Sequence, residues 1–338
     1  MKSHVERCVT CKRLRGRSQT QKMADLPTDR LEPCPPFTYS AVDLFGPFMI
    51  KEGRSERKRW GAMFVCMVSR AVHIEVVATL STDSFINAYR RFVSRRGPIR
   101  QLRSDRGTNF IGARNELNEE IVKRKLLVDG CDYDNFEFKT NFPHSSHMGG
   151  VWERMIRSAR SALSSILIAH PCTLDDELLH TLLVEAESIV NSRPLTYVDS
   201  HDPHHSEPLT PSQILTLKGK VVLPPPGEFV KEDMYCRKRW RKVQFLANQF
   251  WQRWLREFLP TLQERRKWHK RENNLRVNDI VLMIDELTGR AKWPRGIVTE
   301  VFKSEDELVR KVRVRTQETV LERPVHKLVL LYRPEEDD

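Results

Sequence analysis

The stretch "RWGAMFVCMVSRAVHIEVVATLSTDSFINAYRRFVSRRGPIRQLRSD", residues 59–105, holds the signals that set the fold. Its opening, 59–69, is a mostly apolar run of the length of a buried strand, and "RAVHIEVVATL" (70–80) alternates apolar and polar residues in the manner of another. The period then changes. From Ser81 on, Phe85, Ala88, Tyr89 and Phe92 recur at helical spacing, with Ser81 or Thr82 placed to cap the start and Gly97 and Pro98 to end it. "IRQLRSD" (99–105) reads as a strand again, and "FTYSAVDLF" (37–45) upstream as a first one. Three strands in a row, a helix and a further strand predict a mixed α/β sheet with hairpins at its start.

Working outward, two helices are expected at 151–168 and 174–192, the second ending at "NSRPL". Two proline-dense segments, "DLPTDRLEPCPPF" (25–37) and "VVLPPPGEFVKED" (221–233), read as linkers. Beyond the second, Trp240, Val243, Leu246, Phe250, Trp254 and Phe258 fall at helical spacing among basic residues, which predicts an amphipathic helix over 236–272. The tail, 276–333, breaks into about five short strand candidates with turns at Gly289, Gly296 and Pro324, the pattern of a small β-barrel.

The bulk numbers bound the partners. With 57 Lys and Arg against 45 Asp and Glu, the formal charge of +12 favours polyanions, of which nucleic acid is the most abundant in a cell. A basic soluble protein with no such partner has the same composition. No uninterrupted apolar run is long enough to span a bilayer, so no membrane association is expected. The first residues lack the apolar core of a signal peptide, and the seven cysteines then read as thiols or ligands in a reducing compartment.

Three carboxylates stand out. Asp43 ends the first strand before "LFGP", Asp105 ends the fourth before "RGTNF", and Glu153 opens the helix after "NFPHSSHMGG" (141–150). If the first and fourth strands are neighbours, both aspartates leave one edge of the sheet, and a helix packed across it can bring the glutamate to them. Such a cluster repels itself and needs cations; oxygen-only ligands suit Mg²⁺ or Mn²⁺. Arg157 and Arg160 follow one and two turns after Glu153, near enough its face to hold a phosphate backbone. Position alone leaves the bland reading open: an Asp before a turn is commonly a cap, and a first-turn Glu is favoured by the helix dipole.

"VDLFGPF", "SDRGTNF" and "PHSSHMGGVWERMIRSARSAL", in that order, resemble the three motif blocks of integrase catalytic cores from LTR retrotransposons of the BEL/Pao group. The likeness extends to "CVTCKRLRG", to "NSRPLTYV…EPLTPSQIL" and to the tail from about 230 to 333, and so covers almost the whole chain. The resemblance implies an RNase H-like mixed sheet with flanking helices in a catalytic core over 30–220, then, over 226–338, a helical linker and a small SH3-like β-barrel. It implies two Mg²⁺ or Mn²⁺ ions and a DDE triad on Asp43, Asp105 and Glu153. The implied activity is that of a polynucleotidyl transferase: 3′-end processing and strand transfer on element ends and target DNA, in the nucleus, by a homo-multimer. Asp105 and Glu153 lie farther apart than in retroviral integrases, and the extra length falls in "NEEIVKRKLLVDGCDYDNFEF" (118–138). Glu119, Glu120 and Glu137 are rival third acids, none with the glycine turn and basic helix behind it.

The remaining candidates carry two readings each. Cys8 and Cys11 form half of a zinc site, but the family's histidines lie upstream and only His4 precedes them, so 1–29 reads as a truncated zinc-binding remnant and linker that holds Zn²⁺ poorly. Asn109 matches a family position that touches DNA or braces the loop; a turn-capping Asn fits equally. Lys238, Arg239, Arg241 and Lys242 form a basic cluster for phosphate or nuclear import, against a solvated face. Trp240, Trp251 and Trp254 follow the apolar stripe and read as core rather than as base-stacking platforms. A competing function is a host-retained integrase fragment that binds DNA without catalysis; a third is a nuclease that cleaves and does not join.

Overall fold

The structure is a computed structural model that describes residues 9, 28–105, 107, 110–116, 137–140, 150–169, 174–195, 208–218, 223–262, 274–285, 288–304, 306–317 and 319–334, with backbone only at 140, 150–154 and 261. Met1–Glu32 and Pro33–Asp338 are separate compact units. Cys8, Cys11, Asn109, Glu119 and Glu120 lie outside the described residues.

The first sheet is built from β1 (Tyr39–Glu52), β2 (Ser55–Cys66), β3 (Val72–Val77), β4 (Gln101–Ser104) and β5 (Glu137–Thr140), in the order β3-β2-β1-β4-β5. β1, β2 and β3 pair antiparallel, while β4 and β5 run parallel to β1. This is the RNase H-like mixed sheet expected from the sequence. Between β3 and β4 lies α1 (Thr82–Arg96), with Ser81 as N-cap, its side chain accepting from Ser84 N, and Gly97 closing the end at φ 91°. Phe85, Ala88, Tyr89 and Phe92 of α1, with Phe110 and Ala113 of a helical segment at 110–116, bury one face of the sheet against Val42, Phe64 and Leu102.

The other face is covered by α2 (Gly150–Ala169) and α3 (Asp176–Asn191), which present Ile156, Leu163, Leu179 and Leu183 to Tyr39, Ala41, Phe45 and Ile74. A short helix, α4 (Pro211–Thr216), follows with a Thr210–Gln213 capping box. Then α5 (Arg239–Leu262) packs on both α2 and α3 and brings Phe250, Trp251, Trp254 and Phe258 into the same core. Trp251 and Trp254 are therefore packing residues, and Trp240 is about half exposed (48%).

The second sheet is antiparallel: β6 (Ile280–Met283), β7 (Arg295–Lys303), β8 (Val309–Arg315), β9 (Val320–Pro324) and β10 (Leu328–Tyr332), in the order β10-β6-β7-β8-β9. A meander of four strands, a 3₁₀ turn at Val325–Lys327 and a fifth strand returning to the first is the SH3-like order. Its core is valine-rich, with Val281, Val298, Val312 and Val314.

Three local expectations are corrected. Asp43 does not end the first strand: β1 continues through Gly46-Pro47 to Glu52, because a register shift between Phe45 and Phe48 takes up the proline that the ladder cannot use. Gly296 lies inside β7, not in a turn; a Cβ there would stand 2.3 Å from Val314 Cγ1 and 2.8 Å from Arg315 O, so the close approach of β8 requires glycine. The amphipathic helix begins at Arg239 rather than 236 and is described to Leu262.

Candidate active site

The register of β1 on β4 pairs Tyr39 with Gln101, Ser40 with Leu102 and Ala41 with Arg103. Carried two residues further, it sets Asp43 beside Asp105, the first residue after β4, with backbones on the order of 5 Å apart. Side chains alternate along a strand, so Asp43 shares the face of Tyr39, Ala41 and Phe45, and in-register parallel neighbours share a face as well. Asp43 thus leaves the sheet on the side that α2 covers, and Asp105 follows directly on the end of the neighbouring strand.

Their surroundings are polar and open. Asp43 is half-buried and accepts from Leu44 N at 2.8 Å; Asp105 is exposed and accepts from Gly107 N at 3.0 Å, while Ser104 Oγ donates to the Asp105 carbonyl at 2.8 Å. The Asp105 hydrogen bond closes an Asx-type turn that redirects the chain at the strand end. A donor set of oxygens alone fits a hard divalent ion.

Glu153 lies in the first turn of α2, whose inner stripe of Ile156, Ala159, Leu163 and Ile166 packs toward β1. Its side chain is outside the described residues, and among those described no group of three or more His, Cys, Asp or Glu is arranged to hold a metal ion. Arg157 and Arg160 are exposed on α2. Of the rival acids, Glu137 is aligned with Gln101 at the far end of β5 and pairs with Lys139 at 2.8 Å. Four residues of strand, on the order of 13 Å, separate it from the level of the aspartates.

The basic candidates downstream are largely tied to acids. Arg241 binds Asp233 at 2.5 and 3.1 Å and the Glu228 carbonyl at 2.7 Å, and lies over the Phe229 ring. Arg239 pairs with Glu177 at 3.0 Å and Asp175 at 3.3 Å. Lys238 is exposed and Lys242 half-buried. On β8, Arg310 binds Asp306, Lys311 binds Glu322, and Arg313 binds both Glu300 and Glu322.

One buried polar cluster was not singled out in the sequence. His73 Nε2 lies 2.9 Å from Glu75 Oε1, and its Nδ1 lies 3.4 Å from Glu187; Arg91 and Arg95 reach Glu75 at 2.7 and 2.6 Å, and Arg96 reaches Glu187 at 2.5 Å. Burial opposes charge on His73, but its hydrogen bonds to the Glu187 and Glu75 carboxylates outweigh it and hold its pKa above the ordinary value. For Glu75, burial is likewise outweighed, by His73 and Arg91, and the pKa is lowered. In "NSRPL", Asn191 donates to Val72 O at 2.7 Å and accepts from Val72 N at 2.8 Å, and Arg193 donates to Val190 O and Arg70 O. Full burial, with Arg70 nearby, pushes Arg193 down to about 9.

The class defined by fold and site is thus an RNase H-like domain with one aspartate in β1 and another directly after the neighbouring β4, followed by an SH3-like sheet. Residues 238–331 match a family described as a family of unknown function, DUF5641. No curated protein matches the chain. Among solved structures it is similar to a chain of the simian T-cell lymphotropic virus intasome in complex with PP2A regulatory subunit B56 gamma, at 12% identity and TM-score 0.42 over 99% of this chain and 91% of that one. It is also similar to the HTLV-2 integrase catalytic core domain in complex with magnesium (16%, TM-score 0.34, 54% of this chain and 99% of that one). The BIV integrase catalytic core domain gives 16%, TM-score 0.35 and 53% and 93% coverage. At these scores the functional reading rests on the motifs and the sheet.

Proposed function

We propose that this chain is a DDE polynucleotidyl transferase of the BEL/Pao type of LTR-retrotransposon integrase, which trims and joins DNA 3′ ends. The reading is supported by the parallel pairing of β1 with β4, which, carried two residues past its last pair Ala41–Arg103, brings Asp43 level with Asp105, and by Glu153 in the first turn of α2. Asp43, Asp105 and Glu153 are the residues that would hold two Mg²⁺ or Mn²⁺ ions. When bound, such ions supply activation of an attacking oxygen and stabilisation of a leaving one.

The chain's own part is placement. Arg157 and Arg160, exposed beyond Glu153, hold the phosphate backbone beside the acids. A DNA 3′ hydroxyl attacks a target phosphodiester; one P–O bond forms, one breaks, and the leaving strand departs with a new 3′ hydroxyl. No covalent protein intermediate is needed. The work takes place in the nucleus, by a homo-multimer holding two DNA ends.

A strand-transfer assay with Mg²⁺ or Mn²⁺ tests this on wild type and Asp105→Asn. Joined products lost in the variant support it. DNA retention without products marks a silent, integrase-derived binding protein, and cleavage without joining marks a nuclease; either result overturns it.

A further inference from the structure

Away from the aspartates, a groove of about 710 Å³ runs between α1 and the start of α3, along the β3 edge of the first sheet. It is lined by four arginines, Arg59, Arg90, Arg91 and Arg95, against two carboxylates, Glu75 and Asp176. We propose that this groove is a second nucleic-acid site, which grips the phosphates of a DNA strand through Arg90, Arg91 and Arg95. It does not depend on the chemistry at Asp43 and Asp105. β3 is two strands away from β1, and Glu75 shares the α1 face of the sheet with His73, opposite to the face of Asp43.

The arginines are prepared for an anion. Arg91 donates Nε to Glu75 at 2.7 Å and Nη2 to Val76 O at 2.5 Å, and Arg95 donates Nη1 to Glu75 at 2.6 Å. Glu75 is buried, whereas the two arginine side chains remain 42% and 50% exposed. Each guanidinium is therefore oriented by one carboxylate and turns its remaining donors outward, which lowers the ordering cost of binding. Arg90 makes no ion pair among the described residues, and Arg59 is bound in bidentate fashion by Asp176 at 2.7 and 2.9 Å. Four arginines against two carboxylates, with Arg91 and Arg95 sharing Glu75, leave two positive charges of the lining uncompensated.

Repeated phosphates fit this lining better than an acidic peptide does. Asn87, Arg90, Arg91 and Arg95 form a row of donors along α1, spaced by about one helical turn, roughly 5 Å, with Ser84 and Ser94, whose hydroxyls bond Thr79 and the Arg90 carbonyl, as small polar residues beside them. Arginine interleaved with serine and asparagine is the contact set of a sugar-phosphate backbone. The apolar lining is only Val76 and Ala78, with no pocket for the aromatic or aliphatic anchor that a peptide interface needs.

The test is fluorescence anisotropy of the full chain with a labelled DNA duplex over a salt series, comparing Arg90→Glu and Asn87→Glu with Arg54→Glu on the exposed β1–β2 hairpin. Both groove variants are expected to weaken binding by about fivefold or more and to lower the slope of log K against log salt by about one relative to Arg54→Glu. Circular dichroism melts identify a variant that has unfolded, and Arg90→Gln then replaces it. Groove variants that bind like Arg54→Glu overturn the proposal. So does displacement of polyglutamate or inorganic triphosphate, but not DNA, by Arg90→Glu. Asp105→Asn is expected to keep the groove-dependent binding, so this outcome and that of the strand-transfer assay are independent.

Discussion

At the scale of single residues, the least expected finding is how much chemistry serves the edge of the first sheet. β3 is an outer strand, and its outward backbone groups are met by side chains: Val72 by Asn191, Ile74 N by Glu187 at 2.8 Å, and Val76 O by Arg91. An open edge would template pairing with another chain, and these caps close it. Asn191→Leu leaves two backbone groups of Val72 unmet and should cost about 2–4 kcal/mol in urea unfolding. A loss below about 0.5 kcal/mol would contradict the edge-closing role. His73 gives a second prediction. Its folded pKa is raised, so its stabilising charge is fully present below its unfolded value of about 6.5 and is lost as pH rises through the folded pKa. Glu75, with a lowered pKa, contributes above its unfolded value and loses that contribution only as pH falls through the folded one. Melting temperature should therefore decline above about pH 6.5 in the wild type, and this step should vanish in His73→Gln. None of this was legible in the sequence: "VHIEVV" shows a strand, but which carboxylate faces which histidine depends on helices more than a hundred residues downstream.

At the scale of elements, the patterns that carried were those with a period. The cap at Ser81 and the stripe of Phe85, Ala88, Tyr89 and Phe92 gave α1 almost to the residue. The aromatic stripe of 240–258 gave α5, apart from its first three residues. The misreadings came from glycine and proline treated as punctuation. Gly46-Pro47 sits in a bulge of β1, and Gly296 sits in β7 where β8 comes too close for any side chain. Glu137–Thr140 became β5 although its first two residues close the segment taken as mere extra length, because four residues carry too little pattern to announce a strand. Gly296→Ala should destabilise the chain by about 1–3 kcal/mol through overpacking against Val314 and Arg315. A neutral result in thermal unfolding would show that β8 can yield. Trp254→Ala, which empties a fully buried site on α5, should cost about 3–5 kcal/mol.

At the scale of the molecule from Pro33 onward, α5 links the two sheets. Its aromatics share one core with α2, α3 and β1, and the loop after β6 reaches back: Trp251 donates to Thr288 O at 3.0 Å and Trp293 to Ser192 Oγ at 3.4 Å. The family match over 238–331 thus begins just before a helix that buttresses α2, on which Glu153 is carried; Ser161 of α2 donates to Glu257 of α5 at 2.8 Å. Tryptophan fluorescence and far-UV circular dichroism should accordingly report one coincident unfolding transition, and two separated transitions would refute this shared core. The placement of the two aspartates was readable beforehand only as a condition, that the first and fourth strands be neighbours, and the sheet order meets it. The most direct test of the account is Mn²⁺ binding followed by electron paramagnetic resonance on the wild type, Asp43→Asn, Asp105→Asn and the double variant. One shared carboxylate pocket predicts that each single change abolishes most of the bound Mn²⁺ signal and that the double change adds little; undiminished binding in either single variant would contradict it.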